Sequence, residues 1–288
     1  MSARGAAVVH GPNYVVPPTG VPSIVSVHDC WFLRNADQVS GGISLYGAAL
    51  RRSVARGAVV HVPSEHTANE VRELLGATRV EVLPLGAPVV DREAPLPLLE
   101  GLDGRPYIVA TATREPRKNL ARLVDAFGSI AGANRDLALV LVGAEGPAQP
   151  AIDAAIARLP AGAAQRVLIL PYVSDREKDG LVRGARLLAF PSLDEGWGFP
   201  ALEAMALGTP VVAADAGSLP EVCGDAAVLV DPLDVDALAE GLERVLVDTE
   251  LRASLIERGA ARVAAYSPAS CATAFADLYL RLANDEVA

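Results

Sequence analysis

The stretch from residue 186 to residue 214 constrains the fold more than any other part of this chain. Two short apolar runs, residues 186–190 (RLLAF) and 210–214 (PVVAA), each suit a buried strand of a parallel sheet. Between them lie a glycine-rich turn and a short helix, which Pro200 is suited to begin and Gly208 to end. The order strand, loop, helix, strand predicts an α/β protein with a doubly wound parallel sheet.

The turn and the helix form a candidate ligand site. The first turn of a helix offers backbone N–H groups and a partial positive charge, and Gly196 and Gly198 allow an anion such as phosphate to approach closely. Glu195 lies at the carboxyl edge of the predicted strand and Glu203 lies one turn into the helix. Each carboxylate can accept two hydrogen bonds from neighbouring hydroxyl groups. On spacing alone, a tight corner with a glutamate that offsets the helix dipole explains the pattern about equally well.

The same stretch resembles the donor site of retaining glycosyltransferases of family 4, which have the GT-B fold and two glutamates separated by seven residues. The resemblance continues in family order through VHDCWFLRNAD, PSEHTANEV, VLPLG, TREPRKNLARLVDAF, LVLVGAEG and PYVSDREKDGLVRGA. It implies two Rossmann-like domains with doubly wound parallel sheets. Full-length relatives carry several strands and helices before the equivalent of AAVVHGPNY, so we expect the N-terminal domain to be incomplete in this sequence.

The predicted elements divide the chain into domains. Residues 1–92 would form the partial acceptor-side domain, residues 93–106 a proline-rich linker, residues 107–267 the donor-binding domain and residues 268–288 a helix returning to the first domain. Strands are predicted at residues 6–10, 23–28, 58–62, 79–83, 107–111, 137–142, 167–170, 186–190, 211–214 and 227–230. Helices are predicted at residues 42–55, 64–75, 119–130, 150–159, 175–185, 200–207, 235–247, 251–264 and 268–283. Thr67 and Glu70 have the spacing of a capping box.

The resemblance also implies roles for individual residues. We expect Lys118, Glu195 and His28 to be catalytic: Lys118 at the diphosphate, and Glu195 and His28 at the donor sugar. His28 has a plain alternative role as a hydrogen-bonding residue at a strand end. Many relatives have an arginine where this chain has Ala112, so Arg114 or Arg117 would replace it. The expected donor-binding residues are Arg114, Arg117, Gly143, Tyr172, Val173, Gly196, Trp197, Gly198, Phe199 and Glu203, with Glu203 on the ribose.

The implied reaction moves a hexose from a nucleotide-diphosphate sugar to a hydroxyl group of a glycan or lipid-linked acceptor, without a metal ion or a cofactor. The leaving diphosphate would help to deprotonate the acceptor, and cations in the loop before Asn119 would stabilise its charge. Relatives with the EPRKN segment often use GDP-mannose to build surface polysaccharides, which favours mannose. The alternatives are a non-catalytic nucleotide-sugar-binding module and a GT-B epimerase or phosphorylase.

Composition argues against several other classes of protein. The net charge of −10 argues against a nucleic-acid partner. The cysteines Cys30, Cys223 and Cys271 are too widely spaced for a disulfide framework or a zinc site, which favours a reducing cytoplasm. No apolar run approaches the roughly 20 residues that cross a bilayer.

Two charged segments have alternative interpretations. Arg52 and Arg56 lie on one face of a predicted helix, which could contact anionic lipid at the inner face of a membrane, although a solvated face is the commoner meaning. Asp234 and Asp236 imitate a metal-binding D-x-D motif. Because they begin a predicted helix, the pattern indicates helix capping instead.

Overall fold

The computed structural model describes residues 5–35, 41–96, 99, 101–102 and 104–285, except the side chains of residues 41–44 and 285. The chain forms two compact units. The first comprises Met1–Gly86, Glu195–Trp197 and Tyr266–Ala288, and the second comprises Ala87–Asp194 and Gly198–Ala265. The linker predicted at residues 93–106 falls in the second unit and lies partly outside the described residues.

Strands and helices alternate along the described chain. The strands are β1 (Val9–Gly11), β2 (Ser23–Ser26), β3 (Val59–Val62), β4 (Val80–Val82), β5 (Tyr107–Thr111), β6 (Ala138–Val142), β7 (Val167–Leu170), β8 (Leu187–Phe190), β9 (Val211–Ala214) and β10 (Ala227–Val230). The helices are α1 (Trp31–Arg34), α2 (Gly41–Ala55), α3 (Glu65–Leu75), α4 (Leu120–Ile130), α5 (Gln149–Arg158), α6 (Ala161–Ala164), α7 (Asp175–Gly184), α8 (Phe199–Ala206), α9 (Leu219–Cys223), α10 (Val235–Val247), α11 (Thr249–Ala265) and α12 (Pro268–Asp285).

The predicted elements are confirmed, with ends that differ by at most three residues. The short helices α1, α6 and α9 were not predicted, because four or five residues are too few to show a helical period. The capping box predicted at Thr67 and Glu70 is wrong. Ser64 is the N-cap of α3, and its hydroxyl oxygen accepts from the backbone N–H of Thr67. Arg56 directly follows α2, and its backbone N–H donates to the carbonyl oxygen of Arg52 at 3.2 Å, so it lies one turn after Arg52 as predicted.

In the first unit, four parallel strands lie in the order β1-β2-β3-β4. Neighbouring residues of a strand point to opposite faces, so Val25 packs with residues of α2 and α3 while Ile24 packs against Leu278 and Leu282 of α12. Both faces of this sheet are therefore covered within the unit. Among the described residues, none of the helices is long and apolar enough to span a bilayer.

A chain of hydrogen bonds ties α12 to this sheet. His61 Nε2 lies 3.0 Å from the carbonyl oxygen of Leu83, so it must donate there, and His61 Nδ1 then accepts from the Ser26 hydroxyl group at 2.7 Å. Ser26 in turn accepts from His10 Nε2 at 2.8 Å, which leaves His10 Nδ1 to accept from the Tyr279 hydroxyl group at 2.7 Å. These directions hold with both imidazole rings neutral, a state that burial favours because it lowers the pKa of each ring.

The second unit holds six parallel strands in the order β10-β9-β8-β5-β6-β7. The chain builds outward from β5 through β6 to β7, then returns to place β8 on the other side of β5, with Ile108 opposite Leu187. Helices α4, α5 and α10 pack against one face, and α7 and α8 contact β5 and β8. The strand order therefore reverses between β5 and β8, which is where open α/β sheets bind ligands at their carboxyl edge.

Candidate active site

A cavity of about 260 Å³ opens at this carboxyl edge of the second sheet. Five of the predicted donor-binding residues line it: Gly143, Tyr172, Val173, Phe199 and Glu203. Tyr172 is 74% exposed and Phe199 is 40% exposed, so two aromatic rings remain accessible at the cavity. The cavity therefore combines apolar rings with a carboxylate, the mixture that is typical of small-molecule sites.

Gly143 brings the loops after β5 and β6 together. Its φ of 148° lies in the region that favours glycine, and a Cβ atom there would collide with the carbonyl group of Ala112. Any other side chain would push these two backbones apart and deform the cavity wall. The predicted importance of Gly143 thus has a steric reason.

Glu203 and Lys178 form an ion pair in the cavity. The Lys178 ammonium donates to Glu203 Oε1 at 2.7 Å, and the two side chains are only 22% and 13% exposed. Burial would lower the pKa of Lys178, but the hydrogen bond and charge of Glu203, with the charges of Asp175 and Asp179, raise it overall. Lys178 was missed by the sequence analysis, because it lies on another helix and 25 residues before its partner.

Lys118 places a second cation near the same edge. It ends a 3₁₀ turn, Pro116–Lys118, after β5, and its Nζ lies 5.7 Å from the ring centroid of Phe190, the last residue of β8. Such a distance is within cation–π range. Lys118 and Lys178 are the only lysines in the sequence.

The two candidate arginines are placed differently from each other. Arg114 is 6% exposed, and its Nη1 donates to the carbonyl groups of Gly143 and Leu170, so it supports the loops after β6 and β7 from inside. This burial favours a structural role over the predicted contact with the donor. Arg117 pairs with Glu115 at 3.1 Å and donates to the carbonyl oxygen of Asp194 at 3.3 Å, beside the glycine-rich turn.

Asn119 is a positioning residue that sequence reasoning missed. It adopts a left-handed conformation with φ 58°, which asparagine tolerates better than most residues. Its buried amide donates to the carbonyl groups of Pro191 at 3.1 Å and Pro232 at 2.7 Å. It thereby holds the start of the loop after β8, and the only signal in the sequence was its place in EPRKN.

Helix α8 begins at Phe199, one residue before the predicted start at Pro200. Gly198 is its N-cap, Pro200 lies in its first turn and Gly208 follows its end with φ 75°. Its first-turn N–H groups lack acceptors inside the helix and suit an anion. The D-x-D pattern has the predicted capping role, since Asp234 accepts from the N–H groups of Asp236 and Ala237 at the start of α10.

The remaining predicted residues group with the first unit. His28 Nε2 donates to the carbonyl oxygen of Pro12 at 2.9 Å, which is the alternative role considered for it, and its contact with a donor sugar stays a prediction. In the segment Glu195–Trp197, the carbonyl oxygen of Gly196 lies 2.9 Å from Ser64 Oγ. Trp197 is buried and packs edge-on against Tyr266, which favours a structural role for its ring over the predicted donor contact.

The chain is similar to known glycosyltransferases. The family model of Glycosyl transferases group 1 matches residues 99–262. The chain is 29% identical over 284 residues to O-antigen chain mannosyltransferase B of Escherichia coli, covering 94% of this chain and 74% of that protein. It is 27% identical over 277 residues to the alpha-D-kanosaminyltransferase of Streptomyces kanamyceticus, covering 90% and 70%.

A solved structure is similar in fold. Sucrose-phosphate synthase of Thermosynechococcus elongatus superimposes with a TM-score of 0.73 at 22% identity, covering 92% of this chain and 68% of that one. The family match spans most of the second unit and includes the loops that build the cavity. This chain belongs to the group 1 glycosyltransferases and has the GT-B fold.

Proposed function

We propose that this glycosyltransferase moves a hexosyl group from a nucleotide-diphosphate sugar to a hydroxyl group of a glycan or lipid-linked acceptor, with retention of configuration. The observation that carries the proposal is the arrangement at the carboxyl edge of the second sheet. There, Lys118 and the start of α8 offer positive charge beside a cavity that contains Glu203. This arrangement suits a ligand with a diphosphate at one end and a polyhydroxyl nucleoside at the other.

In the proposed reaction, the bond between the anomeric carbon and the diphosphate oxygen breaks while a bond to the acceptor oxygen forms on the same face. The acceptor proton passes to a diphosphate oxygen, so the leaving group serves as the base. The chain's contribution is to orient the donor and to stabilise the charge that grows on the diphosphate, through Lys118 and the N–H groups at Gly198 and Phe199.

We propose mannose as the hexose and GDP-mannose as the donor. The EPRKN segment and the similarity to a mannosyltransferase support this choice. The kanosaminyltransferase to which the chain is also similar is named for a different sugar. The donor pocket must therefore be tested with more than one nucleotide sugar.

Product analysis tests the proposal directly. The purified chain is incubated with a glycan acceptor and one of GDP-mannose, GDP-glucose, UDP-glucose or UDP-galactose, and nucleoside diphosphate release and the anomeric configuration of products are followed by chromatography and NMR. We expect the highest rate with GDP-mannose and an α-linked product. An inverted β-linked product would refute retention. Tight nucleotide binding with neither transfer nor hydrolysis would identify a binding module instead.

The second test of the proposal concerns Glu195. Glu195→Gln keeps the size of the side chain but removes the charge that would hold two sugar hydroxyl groups, so we expect kcat/KM to fall by about 10- to 100-fold. Binding of the nucleoside diphosphate alone should not change, because it lacks the sugar. If Glu195→Gln weakened binding of the free nucleoside diphosphate as much as it lowered kcat/KM for the sugar donor, Glu195 would not hold the sugar. Glu221→Gln serves as a control substitution of the same type.

A further inference from the structure

We propose that Lys178 is a positioning residue that holds the Glu203 carboxylate toward the ribose of the donor and so makes the site selective for ribonucleotides. This inference rests on the proposed function and deepens it. The resemblance to known glycosyltransferases implies a role for Lys118 but none for Lys178, the other lysine of the chain.

The first argument is geometric. Lys178 and Glu203 lie on different helices, α7 and α8, yet both line the same cavity and meet at 2.7 Å. The start of α7 is fixed by a complete capping box between Ser174 and Glu177, so Lys178 is presented one turn into a well-ended helix. A short charge-assisted bond between two rigid elements orients the carboxylate rather than merely neutralising it.

The second argument concerns charge. The Lys178 ammonium faces Glu203 at 2.7 Å and Asp175 at 3.5 Å, and Asp179 also acts on it. Of these groups, Asp175 and Glu203 line the cavity together with Lys178, so one cation among two carboxylates leaves this end of the cavity negative overall. A diphosphate would be repelled there, whereas uncharged hydroxyl groups can donate to the carboxylates. Lys178 therefore acts through Glu203 on a diol, and Lys118 is the lysine suited to phosphate.

The third argument concerns the ionisation of Glu203. Burial raises its pKa, the hydrogen bond and charge of Lys178 lower it, and the charges of Asp179 and Asp175 raise it. Helix α8 carries no other charged residue, and the adjacent strands β8 and β9 carry none. Helix α11 also packs against α8, and its charged residues, Glu250, Arg252, Glu257, Arg258 and Arg262, are not among the groups that shift the pKa of Glu203. Lys178 is thus the one group among these that favours the carboxylate. Without Lys178 the pKa of Glu203 would rise further, and a protonated carboxyl group can accept from only part of a diol.

The experiment measures nucleotide binding rather than turnover. Isothermal titration calorimetry with GDP, UDP and their 2′-deoxy counterparts is carried out between about pH 7 and pH 9, where the terminal phosphate changes little. The proteins are wild type, Lys178→Met, Lys178→Arg, Glu203→Gln and the Lys178→Met/Glu203→Gln double variant. Thermal unfolding of each variant verifies that it is folded.

We expect Lys178→Met to weaken binding of the preferred ribonucleotide by about tenfold or more near pH 7, and to recover part of the loss as pH rises and Glu203 ionises. Discrimination against the 2′-deoxy nucleotide should shrink in the same variant. Lys178→Arg retains the charge and should retain most of the affinity. Glu203→Gln should lose affinity without recovery at high pH, and the double variant should bind no more weakly than Glu203→Gln.

Three results would overturn the inference. The first is wild-type affinity in Lys178→Met, and the second is a loss of affinity in Lys178→Met that is the same at every pH. The third is a loss in the double variant equal to the sum of the two single losses. Each would mean that Lys178 does not act through Glu203. If Lys178→Met fails to fold, unchanged affinity or unchanged 2′-deoxy discrimination in Glu203→Gln would refute it equally. If wild type binds neither GDP nor UDP, the proposed function itself fails, and that outcome is distinct from the others.

Discussion

Lys118→Ala is expected to lower kcat by about 100-fold or more, because removal of one preorganised group that stabilises developing charge typically costs that much. The ammonium lies over the Phe190 ring at the end of β8, beside the loop that leads to α8. Charge on the leaving diphosphate grows as the sugar bond breaks, so the loss should appear mainly in kcat. Steady-state kinetics with the preferred nucleotide sugar measure it.

Lys118→Arg is the matched control for this prediction. It keeps the positive charge and the contact with an aromatic ring, so it should recover a substantial part of kcat. Urea unfolding should show that Lys118→Ala changes the free energy of unfolding by less than about 1 kcal/mol, the usual size of a partly exposed cation–π contact. A Lys118→Ala protein with near-normal kcat would exclude Lys118 from the reaction.

The first unit is expected to lose stability as pH falls from about 6.5 to about 4, because His61 is buried in a neutral hydrogen-bond chain. Burial lowers the pKa of His61 from 6.5 to about 4, with small further lowering by His10 and His28, while its bond to the Leu83 carbonyl group opposes the shift. The unfolded chain therefore binds this proton more readily than the folded one. The stabilisation is complete above pH 6.5 and is lost progressively toward pH 4.

A pKa difference of one between the folded and unfolded states corresponds to about 1.4 kcal/mol. Protonation of His61 should therefore lower the free energy of unfolding by about 3 kcal/mol at pH 4. Fluorescence can follow the first unit selectively, since both tryptophans of the chain, Trp31 and Trp197, belong to it. His61→Gln keeps a donor toward Leu83 but cannot take the proton, so its free energy of unfolding should depend less on pH. Equal pH slopes in both proteins would contradict the role of His61.

The elements of this fold were largely predictable from the sequence because local signals mark their ends. Helix α10 was predicted with its observed bounds, since Asp234 is an N-cap and the apolar period is regular. Strands β5, β7, β9 and β10 were likewise continuous apolar runs bounded by polar residues or turns. The order of strands in the sheet was not predictable in the same way, because pairing between β5 and β8 depends on contacts between distant parts of the chain.

The candidate site was predictable only where a residue belongs to a recognisable segment. Glu203, Gly143 and Tyr172 stand in such segments and do line the cavity. In the sequence, Lys178 is indistinguishable from a solvent-exposed helix residue. Only the packing of α7 beside α8 brings it to Glu203. For Arg114, a cation in a basic loop suggests contact with an anion, whereas the structure shows its guanidinium group donating to backbone carbonyl groups inside the unit. Burial and partner choice of this kind are set by tertiary packing.

The reversal of strand order in the second unit has a consequence for folding kinetics. Pairing of Ile108 with Leu187 closes a long loop of chain, whereas β5, β6 and β7 can assemble from successive neighbours. Long loops cost more closure entropy and slow the search for native contacts. The carboxyl edge between β5 and β8, where the proposed donor binds, is therefore absent from any folding intermediate in which only β5, β6 and β7 have paired. Acquisition of nucleotide affinity during refolding should mark the last step of assembly in this unit.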